Sequence, residues 1–354
     1  MCLHPAGRVL YMAGIGDMFM FRKMNWCTAG LCLSACLVTG CSPQSYLLGS
    51  MSWGRKLAET EIQRDKGFFV TDKIAVIDVD GVMANRRRSG LLREGENPVS
   101  MFVEKLEKAR RDGNVRAVVL RLNSPGGTIG AADLMYHHLR EFRAKSRKPV
   151  VACMLDVAAS GAYYLACGCD GIVAQPTTVT GSIGTIVQTM SFAGTMEKLG
   201  IKSVAIKSGK LKDMASPLHD LSEEEREVLQ GIVTQYYDQF VNVVDEGRRG
   251  LDENGVRALA DGRVFTAKEA LDAGLIDRVG YPTDAVSWAK KLAGVTKARV
   301  VMYHRPSGYA PNIYASTAAG AEGLVPLVNV ELPDWLTSEG TQFLYLWQPG
   351  LGGN

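Results

Sequence analysis

Three short apolar runs limit most strongly what this chain can fold into: residues 74–79 (IAVIDV), 117–122 (AVVLRL) and 149–155 (PVVACML). Each has strand length and a nearly unbroken apolar character, the mark of a strand covered on both faces. Between them the spacing changes to a helical period. Residues 99–112 place Phe102, Val103, Leu106 and Ala109 on one face, and a second helix is expected over about 131–144. Strands alternating with helices at this spacing predict an α/β fold, with βαβ crossovers building a mostly parallel sheet covered by helices. The second half reads as more helical. Ser222-Glu223-Glu224-Glu225 and Thr266-Ala267-Lys268-Glu269 both fit capping boxes, and Gly274 supplies a helix stop.

Charge narrows the possible partners. The formal net charge is +3, but the first 40 residues hold Arg8, Arg22 and Lys23 against Asp17 alone. The remaining 314 residues carry 37 basic and 36 acidic side chains. A near-neutral body argues against an electrostatic nucleic-acid binder.

The N-terminal region reads as a targeting segment. Arg22 and Lys23 precede 15 uncharged residues, 26–40. A membrane-spanning helix needs about 20 residues, so this stretch suits the apolar part of a signal peptide. It ends in Val38-Thr39-Gly40-Cys41, which resembles a bacterial lipobox. Cys41 is thus the expected lipidated N-terminus of a mature chain held at the membrane of the cell envelope, its main domain in the periplasm. The expected divisions are an upstream extension with signal peptide (1–40), a membrane-proximal tether with a short helix (41–71), a main domain (72–302) and an extended tail (303–354). Downstream of Cys41, the cysteines Cys153, Cys167 and Cys169 lack zinc-site spacing and read as buried apolar groups. No cofactor or metal is expected. His137, His138, His219 and His304 are read as solvated or capping residues.

Glycine-rich segments hold the candidate chemistry. Asn123-Ser124-Pro125-Gly126-Gly127 follows a strand, and adjacent glycines can present bare N–H groups to an anion or simply make a tight turn. Ser160, in Ala159-Ser160-Gly161-Ala162, sits where a helix begins, a position that fits an N-cap as well as a nucleophile. Thr180-Gly181-Ser182-Ile183-Gly184 and Ser208-Gly209-Lys210-Leu211-Lys212-Asp213 follow. Ser208-Gly209-Lys210 is not a phosphate loop, and the chain has no G-x-S-x-G elbow.

Taken in order, NSPGG, ASGAYYLA, TGSIG and SGKLKD with Ser216-Pro217 resemble the signal peptide peptidases of the S49 serine protease family. Asp261-Gly262-Arg263-Val264-Phe265-Thr266 and Gly274-Leu275-Ile276-Asp277 extend the resemblance, which covers about residues 72–300 and corresponds to the short, single-unit form. The resemblance implies a ClpP/crotonase-like fold and an endopeptidase degrading cleaved signal peptides or other short apolar peptides. It implies Ser160 as nucleophile, Lys212 as general base, Ser182 as the residue orienting the lysine, and the N–H groups of Gly127 and Gly161 as the oxyanion hole. It also implies a membrane-associated homo-oligomeric ring, an octamer in short forms, with Ser and Lys donated by neighbouring protomers. Lys210 is the nearby competitor for the base, and Lys207 a remoter one. Free lysine has a pKa of about 10.4, whereas a lysine base typically works at about 7–8, so the base has to lie away from acids. Asp213, next to Lys212, is therefore expected to point elsewhere. Two other readings use the same fold: a crotonase-like enzyme acting on a CoA thioester, and a catalytically silent membrane scaffold.

Overall fold

The computed structural model describes residues 56–86, 96–306, 312 and 342–347. The targeting segment and Cys41 lie outside the described residues, as does most of the expected tail. Along the chain run β1 (Ala58–Arg64), β2 (Lys73–Asp80), α1 (Pro98–Arg111), β3 (Val115–Ser124), β4 (Gly126–Thr128), α2 (Ile129–Ser146), β5 (Val150–Ala159) and α3 (Gly161–Ala166). Then come β6 (Gly171–Ala174), β7 (Val179–Gly181), β8 (Ile186–Val187), α4 (Ala193–Lys198), α5 (Glu223–Gly247) and α6 (Glu253–Leu259). The series ends with β9 (Val264–Thr266), α7 (Ala267–Asp272), β10 (Arg278–Val279), α8 (Pro282–Leu292), β11 (Arg299–His304) and β12 (Phe343–Leu346).

The main sheet has the order β1-β11-β2-β3-β5-β6-β10, and β7 branches from β5 to pair with β9. Pairing is parallel from β11 through β10, and antiparallel only where β1 meets β11 and β9 meets β7. This is the α/β, mostly parallel architecture expected from the three apolar runs. Both faces are covered. Ile77, Leu120 and Met154 pack with Phe102 and Leu106 of α1, Met135 and Leu139 of α2, and Phe240 of α5. On the opposite face Val76, Val119 and Val151 pack with Ala285, Val286 and Ala289 of α8. Burial on both faces leaves no polar alternation in β2 or β3, which is why their sequences read as continuous runs.

Local signals set the helix ends. Asn97 caps α1 by accepting from the N–H groups of Val99 and Ser100, with Pro98 in the first turn. Both capping boxes are formed, at Ser222–Glu225 and Thr266–Glu269. The Gly274–Asp277 motif is a bracket between helix and sheet. Arg248, which follows α5, donates to the Gly274 carbonyl at 2.9 Å and to both Asp277 carboxylate oxygens at 3.0 and 2.9 Å. Asp277 in turn accepts from the N–H of Ile172 on β6 at 2.7 Å. Cys153 and Cys167 are free and buried, and burial pushes both thiols up to about 12.

Two expectations are corrected at the domain edges. Residues 58–64, inside the region expected to be tether and short helix, form strand β1 on the antiparallel edge of the sheet. AETEIQR alternates between half-buried and exposed positions, as an edge strand does, and gives no helical face. The expected end of the main domain at 302 falls inside β11, and the chain beyond it is not simply an extended tail. Strand β12 returns to lie between β4 and β8 as a second, three-stranded antiparallel sheet. Tyr345 anchors it. The ring is fully buried with its centroid 4.7 Å from that of Phe240 and 5.3 Å from that of Tyr164, and its hydroxyl donates to the Tyr236 carbonyl at 2.5 Å.

Removing that anchor has a local consequence. Tyr345→Ala, by the usual cost of about 3–5 kcal/mol for emptying a buried aromatic site, is expected to detach β12. Hydrogen exchange checks this: protection at residues 343–346 should be lost, while the β2, β3 and β5 amides stay protected.

Candidate active site

The site forms where the turns after β3 and β5, adjacent parallel strands, come together at the strands' C-terminal ends. The crevice at the carboxyl ends of parallel strands is where open α/β sheets place their ligands. Gly126 takes φ +102°, in the region that favours glycine. A Cβ on Gly127 would lie 1.9 Å from the Met83 carbonyl oxygen, so only glycine fits there. Met83 holds this turn from outside: its N–H donates to the Gly126 carbonyl at 2.8 Å and its carbonyl accepts from Thr128 at 2.9 Å. The two glycine turns touch, since a Cβ on Gly126 would come within 2.7 Å of the Gly161 nitrogen.

Ser160 stands between β5 and α3 with φ 52° and ψ −115°. A non-glycine residue in this region stores about 1–3 kcal/mol of strain and persists only when its surroundings fix it. They do so here. Its N–H donates to the Gly181 carbonyl at 2.7 Å and its carbonyl accepts from Tyr164 at 2.9 Å. The side chain makes no N-cap hydrogen bond, which leaves its oxygen free for chemistry. Ser182 follows directly on the paired strand β7, also buried and also at positive φ (50°). The Asp261–Thr266 motif supports it, for the Ser182 N–H donates to the Arg263 carbonyl at 2.8 Å. Ser160, Ser182, Gly127 and Gly161 are thus gathered in one place by β3, β4, β5 and β7.

Lys212 is not part of that cluster within one chain. It is exposed on a turn, and no hydrogen bond among the described residues joins it to Ser160 or Ser182. The two rival lysines are nevertheless separated from it by their partners. Lys210 pairs with Glu224, which raises its pKa and keeps it protonated. Lys207 pairs with Asp213, which lowers the carboxyl pKa and engages that acid with a lysine other than Lys212. Among the described residues Lys212 alone of the three has no ion pair. The fold also groups side chains that the sequence leaves apart: Asp213, His219 and Glu225 have polar atoms within 4.8 Å of one another. All three are engaged by protein groups, Asp213 by Lys207, His219 by two carbonyl oxygens and Glu225 by Ser222.

Strand β12 was not foreseen at this site. Tyr345 faces Gly127 in register, and the Trp347 N–H donates to the Pro125 carbonyl at 2.8 Å. The Tyr345 carbonyl oxygen lies 3.1 Å from where a Cβ on Gly161 would sit. Beside β12 runs a cleft lined by Thr128, Ile129, Asp133, Tyr236, Gln239 and Phe343. Only the apolar character of residues 343–347 hinted at this in sequence.

Comparison with known proteins decides the family. The model of "Peptidase family S49" matches residues 142–296. A protein of Enterococcus faecium named "Putative signal peptide peptidase SppA" is 39% identical over 253 residues, covering 71% of this chain and 73% of that protein. The chain belongs to peptidase family S49. This S49 chain is also 37% identical to "Putative protease slr0021" of Synechocystis, over 64% of the chain and 77% of that protein. It is 32% identical to "Protease 4" of Haemophilus influenzae over 63% of the chain, but there it spans only 35% of the relative. As an S49 member it is a serine-type peptidase, which sets aside the CoA-thioester and silent-scaffold readings.

Proposed function

We propose that the protein is a membrane-tethered endopeptidase that uses a Ser160/Lys212 dyad to degrade signal-peptide remnants and other short apolar peptides. The observation that carries this reading is β12: an extended segment of the chain pairs antiparallel with the strand that bears Gly127, its carbonyl set against Gly126 and Gly161. An extended peptide taking the place of β12 on that strand would bring its carbonyl to Ser160 and to the two glycine N–H groups. Ser160 attacks that carbonyl as the neutral Lys212 amine takes its proton, and the Gly127 and Gly161 N–H groups hold the oxyanion. The protonated amine then delivers the proton to the leaving nitrogen, and water releases the acyl group by the reverse sequence. Ser182 orients the lysine.

The lysine reaches the serine between copies of the chain. Ile186, Met190, Phe192, Leu199, Val204 and Ile206 on the segment leading to Lys212 are exposed, Ile206 completely. Monomeric proteins rarely leave so much apolar surface open. A homo-oligomeric ring, an octamer by family resemblance, would cover it and carry Lys212 from one protomer to Ser160 of the next. The peptidase unit runs from β2 through β11 (Arg299–His304), supplemented by β1 and β12. The lipobox-like Val38-Thr39-Gly40-Cys41 assigns the tether to lipid on Cys41, with the peptidase in the periplasm; among the described residues no helix is long and apolar enough to cross a membrane.

Two experiments test these assignments. Hydrolysis of apolar peptides by detergent-extracted protein tests the activity, and turnover surviving in Ser160→Ala would reject the mechanism. For the tether, intact-mass analysis is expected to find a mature chain starting at Cys41 with added acyl mass. Cys41→Ala should move the protein from the membrane to the soluble fraction. An unmodified N-terminus elsewhere would reject the anchor.

A further inference from the structure

His219 lies between the Lys212 turn and α5, in a segment that the sequence alone reads as polar and solvated. In the fold its ring is held between two backbone carbonyl groups. Nδ1 is 2.9 Å from the Asp220 carbonyl oxygen, and Nε2 is 3.1 Å from that of Asp213. Carbonyl oxygens only accept, so each ring nitrogen must carry a proton to make its bond. A neutral imidazole has one N–H, and only the imidazolium satisfies both contacts.

The surrounding charges favour the same state. The Asp213 carboxylate is 3.6 Å and the Glu225 carboxylate 3.9 Å from Nε2. Lys207 offsets part of this by pairing with Asp213. The Asp220 carboxylate is engaged elsewhere, accepting from the Ser191 hydroxyl at 2.6 Å. Lys210 and Glu224 form a pair of their own nearby.

We propose that His219 is a positioning residue for the Lys212 base, tying Asp213, the neighbour of Lys212, to the start of α5 as an imidazolium. This rests on Lys212 being the base. The turns that shape the segment, Lys212 to Gly209 at 3.1 Å, Met214 to Leu211 at 3.1 Å and Ser216 to Asp213 at 3.0 Å, are internal to it. The exposed Lys210–Glu224 pair also reaches α5, but exposed pairs hold little. His219 instead connects the segment to Asp220 and to Glu225, whose carboxylate is fixed by the Ser222 N–H and hydroxyl at 2.9 and 3.0 Å.

The two groups respond to pH in opposite senses. The Asp220 and Asp213 carbonyl bonds, with the nearby carboxylates, raise the His219 pKa above its ordinary 6.5. The clamp is complete below that raised value and is lost as pH rises through it. Lys212 must lose its proton to act, so its contribution grows with pH. Activity should therefore rise and then fall, with the alkaline limb belonging to His219.

The test is the pH dependence of kcat and KM for peptide hydrolysis by the full-length oligomer, with wild type, His219→Gln, His219→Arg and Lys212→Arg compared. His219→Gln should lower kcat about ten- to hundredfold, as displacement of a reacting group by about 1 Å does, with KM within about twofold and no alkaline limb. His219→Arg keeps a fixed charge and several N–H donors, so it should recover most of kcat and hold a plateau at alkaline pH. Wild-type kcat with an intact alkaline limb in His219→Gln would overturn the proposal. So would equal losses in both His219 variants that track a lower melting temperature. Cleavage by Lys212→Arg would instead reject Lys212 as the base, a failure distinct from that of the clamp.

Discussion

Ser160→Ala is expected to reduce peptide hydrolysis by about 10⁴-fold or more, the scale seen when a serine peptidase loses its nucleophile. The fold should tolerate the change. The Ser160 side chain makes no hydrogen bond among the described residues, and the backbone bonds that hold its positive φ, to Gly181 and from Tyr164, survive with alanine. A melting temperature within a few degrees of wild type, together with lost turnover, separates chemistry from folding. Substantial hydrolysis by the folded variant would remove Ser160 from the mechanism.

Lys212→Arg is expected to be nearly as damaging, because a guanidinium cannot give up its proton in the working pH range and its planar fork fits a lysine site poorly. Lys212→Ala should fail as well. Lys210→Ala should retain most activity, because the Glu224 carboxylate favours the protonated form of Lys210, the wrong state for a base. The remaining wild-type profile follows: hydrolysis must increase from pH 6 upward as the base loses its proton, before the alkaline limb assigned to His219 begins. Replacing His137, His138 or His304 should leave this rising limb in place, since none of them is placed at the site. Activity lost in Lys210→Ala and kept in Lys212→Arg would transfer the role to Lys210.

What the sequence made legible was local. β2, β3 and β5 are continuous apolar runs because helices cover both faces of the sheet, and that burial is written directly into the residue types. Ser160, Ser182 and Gly127 stood out as a site only through the ordered motifs of the S49 resemblance, because a serine at a helix start reads equally as an N-cap and a glycine pair equally as a tight turn; the positive φ of both serines is a property of the fold. The supporting motifs are also local signals with distant partners: Arg263 braces Ser182, and Asp277 holds Arg248. Long-range placement was not legible. Strand β1 is polar and half-exposed, so its pairing with β11 left no periodicity beyond that of a tether. Tyr345 is buried only because β4, β8, Tyr164 and Phe240 meet around it, an environment absent from residues 343–346 themselves. Lys212 could be tied to Ser160 only by family pattern, since no single-chain contact joins them. The contacts of the His219 ring are with two carbonyl groups, whose orientation no residue type encodes.

The dyad is tested most directly by labelling the detergent-extracted oligomer with a fluorophosphonate and mapping the adduct by tandem mass spectrometry, with the rate followed against pH. The expected result is one adduct on Ser160, formed faster as pH rises from 6, lost in Lys212→Arg and retained in Lys210→Ala. An adduct on another serine, or wild-type labelling of Ser160 in Lys212→Arg, would contradict the Ser160/Lys212 mechanism.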